Sequence, residues 1–174
     1  MKTILKYCLL LCCLWVTNAN AQKAKSFFKL TGSWGGELET YENGVKGKPS
    51  SIRLAISKSN EPMVYDWIIQ YSQEEKDKRH YKLIQTDTTG NNFKLDEGNG
   101  IELMMTKTGN TISSTYKAGK VLLTTFYHFK NGFVEMEVYS YNMRDNNNTS
   151  DKDGNGITSY PLKAYQHAVL RPIK

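Results

Sequence analysis

The feature that most constrains the fold is a series of short runs rich in β-branched and aromatic residues, separated by glycine and asparagine. Such runs are typical of β-strands, and beyond the first 21 residues the sequence shows almost no helical periodicity. Ten runs are predicted to be strands: Leu30–Tyr41, Ser51–Ser57, Met63–Tyr71, His80–Thr86, Asn92–Asp96, Ile101–Lys107, Thr111–Lys117, Val121–Phe129, Phe133–Tyr141 and Tyr165–Arg171.

The segments between these runs predict tight hairpins, because glycine and asparagine accept the positive φ values of short hairpin loops. Adjacent hairpins form an antiparallel up-and-down meander, and about ten strands favour closure over two long exposed edges. A β-sandwich is the alternative, but it usually needs Greek-key crossovers, for which these connections are short. We predict one all-β, antiparallel up-and-down barrel of about ten strands. The hairpin segments are Gly98-Asn99-Gly100, Gly109-Asn110, Ala118-Gly119 and Asn131-Gly132.

The first residues have the composition of an export signal. Lys2 and Lys6 precede the apolar run Cys8–Val16, and Ala19-Asn20-Ala21 has the small-x-small pattern of a signal peptidase site. The apolar run is too short to remain as a membrane-spanning helix. We therefore expect cleavage after Ala21 and a periplasmic or extracellular protein without a membrane anchor. The predicted organisation is a signal peptide over 1–21, an N-terminal segment over 22–29 and a barrel domain over 30–174.

Cysteine content and charge exclude several classes of function. All three cysteines, Cys8, Cys12 and Cys13, lie in the predicted leader, which excludes disulfides, thiolate catalysis and cysteine metal sites from the mature chain. Without Lys2 and Lys6, 21 of the 23 basic residues remain against 17 acidic residues. This excess of four positive charges is small and scattered, so we expect no nucleic-acid partner.

The first and last predicted strands resemble those of the calycins, the superfamily of lipocalins and fatty-acid-binding proteins. The residues that carry the resemblance are Gly32 and Trp34 in a Gly-x-Trp pattern, and Arg171 near the end of the chain. The resemblance implies that the Trp34 indole closes the narrow end and that Arg171 packs across it. Ten strands suit fatty-acid-binding-type and nitrobindin-type barrels. However, the segment Tyr41–Ser50 is too short and glycine-rich to form a helical lid.

A second resemblance is to small exported lipocalin-like proteins of Bacteroidetes-type bacteria. It rests on the leader and on the stretches VYDWIIQY, RHYKL and DEGNGIEL. Within the last of these, Asp96–Ile101 has two readings. It is either a tight hairpin whose carboxylates bond turn amides or a recognition loop at the barrel mouth.

We expect a non-enzymatic module that binds a small hydrophobic or amphipathic molecule in its lumen and acts as a monomer. No nucleophile elbow, phosphate loop or dinucleotide fingerprint is present, so no catalytic residue is assigned, and a barrel of this size has room for a ligand. The alternative is a filled barrel that acts through its loops and its eleven tyrosines as an interaction or structural module. The predicted ligand-binding residues are Tyr65, Trp67, Met104, Phe126 and His167.

His167 carries the alternative of a haem cofactor. It shares a strand face with Arg171, so an inward Arg171 would place the imidazole inside the barrel. Nitrobindin-like barrels resemble this chain at Gly32–Gly35 and carry a haem-ligating histidine near the last strand. Here Tyr165 stands where the nearest equivalent histidine would fall. Haem therefore remains an alternative reading beside the expectation of no cofactor.

Two acidic stretches complete the candidates. In the long connection Asn142–Leu162, the residues Asp151, Asp153 and Asn155 copy the first half of an EF-hand calcium loop, without the glutamate of its twelfth position. They are weak metal candidates, and we expect no metal. Glu135 and Glu137 alternate with apolar residues, which predicts that they lie on the solvent face of a half-buried strand.

Overall fold

The computed structural model describes residues 30–174, and this part of the chain is all-β. The predicted signal peptide and N-terminal segment lie outside the described residues. The strands are β1 (Gly32–Glu42), β2 (Val45–Lys46), β3 (Ser50–Lys58), β4 (Val64–Gln70), β5 (Lys78–Gln85), β6 (Asn92–Asp96), β7 (Glu102–Thr108), β8 (Thr111–Ala118), β9 (Val121–Lys130), β10 (Phe133–Asn142), β11 (Asn147–Ser150), β12 (Gly156–Ser159) and β13 (Leu162–Pro172).

Ten of these strands form a closed antiparallel barrel. The strands β1, β3 to β10 and β13 each pair with the next in that order, and β13 also pairs with β1, so no long edge is left unpaired. The two-residue strand β2 pairs with the end of β1. Each of the ten predicted strands overlaps one barrel strand, and the predicted fold is confirmed.

Helix contributes little to residues 30–174. The described part contains one turn of 3-10 helix, Glu75–Asp77, and no α-helix, so a helical lid is absent from it. No helix in this part is long and apolar enough to cross a membrane. The hairpin loops are the short ones that the sequence predicted, with Gly109 and Gly132 at φ values of +59° and +84°. Glycine occupies these positions because residues with a Cβ rarely adopt positive φ.

The barrel interior is packed with one side chain from every second position along the strands, as the alternation of a β-strand requires. Trp34 closes the end at which β1 begins. Its ring meets that of Phe129 edge to face, with centroids 6.0 Å apart, and only 7% of the residue is exposed. The largest fully buried side chains are Trp67, Ile52, Leu54, Ile69, Leu83, Ile112, Met136, Leu170 and Val134.

The predicted packing of Arg171 across Trp34 is wrong. In β13 the buried side chains are Ala168 and Leu170, and Arg171 is exposed on the opposite face, in register with Gly35 of β1. Burying the apolar pair avoids the cost of taking a guanidinium out of water. Trp34 therefore closes this end of the barrel against Phe129, without a guanidinium stacked on its ring.

The long connection between β10 and β13 contains an unpredicted element. Strands β11 and β12 form a separate two-stranded hairpin whose residues are all exposed. Because neither strand buries a face, its sequence shows no apolar alternation by which it could be recognised.

Candidate functional site

The interior is not filled to its open end, at which β4, β6 and β8 end. A cavity of about 160 Å³ lies there, and we call it the lumen pocket. Its lining is mainly apolar on the side of the packed interior and more polar toward the open end. The lining residues are Trp67, Ile69, Tyr71, Tyr81, Leu95, Glu97, Leu103, Met105, Ser114, Tyr116, Leu123, Thr125, Tyr127, Val138 and Gln166.

Two aromatic rings form the floor of the lumen pocket. Trp67 of β4 and Tyr127 of β9 meet edge to face, with centroids 4.8 Å apart and an interplanar angle of 83°. They are 1% and 8% exposed, respectively. This arrangement suits the ring quadrupoles and separates the pocket from the packed interior behind it.

Four tyrosines ring the pocket: Tyr71, Tyr81, Tyr116 and Tyr127. Burial raises the pKa of Tyr71 to about 12, although 39% of that residue is exposed at the mouth. Burial also raises the pKa of Tyr81, Tyr116 and Tyr127. Desolvation disfavours the phenolate, so all four hydroxyls remain protonated and able to donate hydrogen bonds over the whole physiological pH range.

These hydroxyls have no protein partner within residues 30–174. No side-chain hydrogen bond is made there by the four tyrosines, by Thr125 or by the Gln166 amide, whereas the Ser114 hydroxyl donates to the Met104 carbonyl at 2.7 Å. Within that range no fully buried side-chain nitrogen or oxygen is left unsatisfied. The lumen pocket therefore offers hydrogen-bonding groups that are accessible from the cavity and not used by the fold.

Two charged residues stand at the mouth. Glu97, just after β6, lines the pocket. Arg79 is exposed on β5, in register with the buried Ile69 of β4. Burial is the main cause of the raised pKa of Tyr81; the charge of Glu97 also raises this pKa, and that of Arg79 lowers it. Both charges are therefore close enough to act on the Tyr81 phenol. The rim therefore has one carboxylate that lines the pocket, and one guanidinium near it that does not.

The segment Asp96–Ile101 is the tight hairpin of the first reading. An Asp96 carboxylate oxygen accepts a hydrogen bond from the Gly98 amide at 2.8 Å, and the Asn99 side chain accepts one from the Ile101 amide at 2.9 Å. Because Glu97 lines the lumen pocket, the same loop also forms part of the mouth.

The structure places two of the five predicted ligand-binding residues inside the barrel. Trp67 forms the pocket floor. Tyr65 is partly buried against the core, opposite Leu83, but it does not line the pocket. Their role in binding stays a prediction.

The predicted lumen positions of Met104, Phe126 and His167 are wrong. Met104 is 65% exposed because its neighbour Met105, 3% exposed, takes the inward position. Phe126 lies outside because Thr125 and Tyr127 face the lumen. For both Met104 and Phe126, the predicted inward position is shifted by one residue along the strand, and such a shift exchanges the inner and outer faces.

His167 lies on the outer face of β13, as does Arg171. Its Nε2 is 3.1 Å from a carboxylate oxygen of Glu135, and 26% of its side chain is exposed. From that face the imidazole does not reach the lumen, so the haem alternative loses its ligand. Glu135 and Glu137 also lie on the outer face of β10, opposite the buried Val134 and Met136, and this prediction is confirmed.

The predicted calcium candidates form a turn. Asp151 accepts hydrogen bonds from the amides of Asp153 and Asn155 and from the Asn155 side chain, at 2.8–2.9 Å. The hydrogen bond from the Asn155 side chain is the main cause that lowers the pKa of Asp151. Within residues 30–174 no group of three or more histidine, cysteine, aspartate or glutamate residues is placed to hold a metal ion.

The sequence interpretation missed the four pocket tyrosines and Glu97. The signal was available in part, because alternation from Trp67 places Tyr71 on the same strand face. Tyr81 is the cross-strand partner of Trp67, which could not be known without the β4–β5 register.

Comparisons with known proteins bear on the fold alone. No protein family matches the chain, and no curated protein is significantly similar to it. Among solved structures, the chain is similar to the S-type phycobiliprotein lyase CPES from Guillardia theta. The TM-score is 0.50 and the identity 9%, over 85% of this chain and 90% of that one.

The expectation of a non-enzymatic protein is corrected by this similarity. A barrel with a related fold is named a lyase, so this architecture does not indicate the absence of catalysis. The expectation rested on missing local motifs, and enzymes that assemble their sites from distant strands need none. The chain thus has a closed ten-stranded antiparallel barrel similar to that of a phycobiliprotein lyase.

Proposed function

We propose that the protein binds a small amphipathic molecule in the lumen pocket, with the apolar part on the Trp67–Tyr127 floor and the polar part among the tyrosine hydroxyls. One observation carries the proposal. Several hydrogen-bonding groups converge on a cavity with an aromatic floor, and within residues 30–174 the fold uses only those of Ser114 and Glu97. A few polar groups in an apolar pocket are the usual form of a small-molecule site.

The dimensions and chemistry of the pocket restrict the ligand. Pockets for drug-sized molecules measure about 300–1,000 Å³, so a cavity of about 160 Å³ holds a compact group. A larger ligand extends through the mouth. The protonated phenols donate to an acceptor such as a carbonyl oxygen, and the Glu97 carboxylate accepts from a hydroxyl or amine. The preferred group therefore carries both an acceptor and a donor.

Export and kinship are part of the proposal. The leader pattern over residues 1–21 supports cleavage after Ala21 and action outside the cytoplasm. The proposed oligomeric state is a monomer. The exported lipocalin-like proteins of Bacteroidetes-type bacteria are the group in which we place it. Intact mass and amino-terminal sequencing of protein from the periplasm and the medium test the cleavage site and the compartment.

Native mass spectrometry of protein purified from its own source tests the binding. We expect a bound mass that is lost on denaturation, and a fluorescence change of Trp67 when the released compound is added back. The variant Tyr127→Phe removes one lumen hydroxyl and weakens rebinding. Tyr41→Phe is the matched control, because Tyr41 lies on the outer face in register with Tyr165. Protein that carries no compound would refute the proposal, and so would a released compound that both variants rebind equally.

A further inference from the structure

The outer face of β9 and β10 is aromatic, although an outward barrel face is expected to be polar. Alternation places Phe126 and His128 of β9 beside Glu137, Tyr139 and Tyr141 of β10 on this face. Together with Thr124 they line a shallow groove of about 390 Å³, which we call the outer groove. It lies on the opposite side of the barrel wall from the lumen pocket.

Two perpendicular rings form the walls of the outer groove. Phe126 and Tyr139 have centroids 6.1 Å apart and an interplanar angle of 84°. Phe126 is also stacked on the His128 imidazole, with centroids 5.7 Å apart. These contacts hold the rings at a corner, so a ligand in the groove meets more than one aromatic surface.

Glu137 lies at the base of this corner with its oxygens already hydrogen-bonded. The hydroxyls of Tyr139 and Tyr165 donate to Oε1 at 2.9 and 2.8 Å, and His128 Nε2 donates to Oε2 at 3.1 Å. Partial burial raises the pKa of Glu137, but these hydrogen bonds outweigh burial, so its pKa lies below the ordinary value. The carboxylate is thus held in its charged form.

The charge of Glu137 is not cancelled by a lysine or arginine. On the same face, Glu39 is paired with Lys46 and Glu135 with Lys130. Within residues 30–174, Glu137 has no such partner, and its only ion-pairing neighbour is His128. A carboxylate with no lysine or arginine beside it therefore lies among aromatic rings, on a chain whose formal net charge is +6.

We propose that the outer groove binds a small organic cation with a quaternary ammonium group. Aromatic faces attract such cations through the ring quadrupole, and the Glu137 carboxylate adds a full opposite charge. Three of its about four acceptor positions are already occupied, so it supplies charge and at most one further acceptor position. A methylated ammonium requires only that charge, whereas a sugar would need acceptors for its hydroxyls.

The ligand is a free small molecule rather than a lipid headgroup. Among the described residues, none of the large exposed aliphatic side chains lines the outer groove. A surface that docks on a bilayer inserts such side chains beside the headgroup site. Within residues 30–174, the one such side chain paired with a groove residue is Leu162, opposite Tyr141, and a single leucine offers little contact to acyl chains.

Choline chloride is the probe, titrated into the protein and followed by NMR chemical shifts and calorimetry. The uncharged analogue 3,3-dimethylbutan-1-ol, which has the same shape, is the ligand control. We expect choline to bind and the analogue to bind at least about twofold more weakly, since an exposed cation–π contact alone gives about 0.5–1 kcal/mol, a factor of about two to five.

Three variants locate the site. Glu137→Gln removes the charge and weakens choline binding at least about fivefold, and Phe126→Leu removes a ring and weakens it about threefold. Glu135→Gln is the matched control, because Glu135 lies on the same strand and face but does not line the groove, and it leaves binding unchanged. A thermal melt of each variant confirms that it is folded. Glu137→Gln and Phe126→Leu remove different contacts, so if one of them fails to fold, the other still tests the site.

Several results would overturn the proposal. These are equal binding of choline and its analogue, binding unaffected by both site variants, binding of sugars in place of choline, and binding of phosphatidylcholine vesicles without binding of choline. The lumen variant Tyr127→Phe leaves choline binding unchanged, so this proposal and the lumen proposal stand or fail separately.

Discussion

Two adjacent glycines of β1 provide a sharp test of how the barrel closes. A Cβ on Gly36 would overlap the backbone carbonyl oxygen of Val169 and lie 3.3 Å from a methyl group of Leu170. A Cβ on Gly35 would meet only side-chain atoms of Ile173 and Arg53, at 3.3 Å or more. Neither glycine has a positive φ, so alanine is compatible with the backbone at both positions. Only the space available differs.

The expected difference in stability follows from that space. Flexible side-chain ends can move aside at Gly35, and a compatible Gly→Ala change stabilises by about 0.4–1 kcal/mol through the unfolded state. At Gly36 the obstacle is a backbone carbonyl of β13, and overpacking of this kind costs about 1–3 kcal/mol. For Gly36→Ala we expect a loss of about 2 kcal/mol, which lowers the Tm by about 4–8 °C for a chain of this size.

Thermal and urea unfolding, followed by circular dichroism, measure both variants against the parent protein. Gly35→Ala is the matched control, one position away on the other face of the same strand. If Gly36→Ala melts at the parent temperature, or if the two variants lose the same stability, then close approach of β13 is not the reason for glycine at position 36.

Three further outcomes are expected. Met136→Ala lowers the free energy of unfolding by about 2–5 kcal/mol in urea, because Met136 is fully buried; a loss below about 1 kcal/mol would contradict its place in the core. The hydrogen bond from the Thr89 hydroxyl is the main cause that lowers the pKa of Asp87 from 3.8 to about 2. The stability that the Asp87 carboxylate contributes is therefore present above pH 3.8 and is lost as the pH falls from 3.8 to about 2. Asp87→Asn should therefore flatten the acid limb of the Tm–pH profile, and an unchanged acid limb would contradict a stabilising role of the Asp87 carboxylate. The absorbance titration of the folded protein should show tyrosine ionising near pH 12, as the raised pKa of Tyr71 requires, and the stability from that burial is present below pH 10 and lost as the pH rises toward 12.

Most of the barrel was predictable because its signals are local. The runs Val121–Phe129 and Phe133–Tyr141 lie within β9 and β10, and Asn131-Gly132 between them forms the expected hairpin. A hairpin is specified by residues close in sequence. The β11–β12 hairpin gave no such signal because both of its faces are exposed.

The faces of the strands were harder to assign than the strands themselves. In β9, Thr125 faces the lumen while Phe126 faces outward, so hydrophobicity does not identify the inner side. In β13, the apolar pair Ala168 and Leu170 indicated the buried face correctly, and the calycin resemblance led to the opposite assignment for Arg171. Where both faces carry aromatic rings, only the cross-strand register decides the orientation.

The seam between β1 and β13 has a consequence for the order in which the barrel forms. From β3 to β10 each barrel strand pairs with one next to it along the chain, whereas the seam joins Trp34 to Pro172 and Leu38 to Ala168 across nearly the whole described sequence. The entropic cost of closing so long a loop grows only with the logarithm of its length, but it is met before the seam is stabilised. The meander can therefore assemble from local hairpins while Trp34 remains solvated. A change in the fluorescence of the Trp34 indole would then report the closing of the barrel.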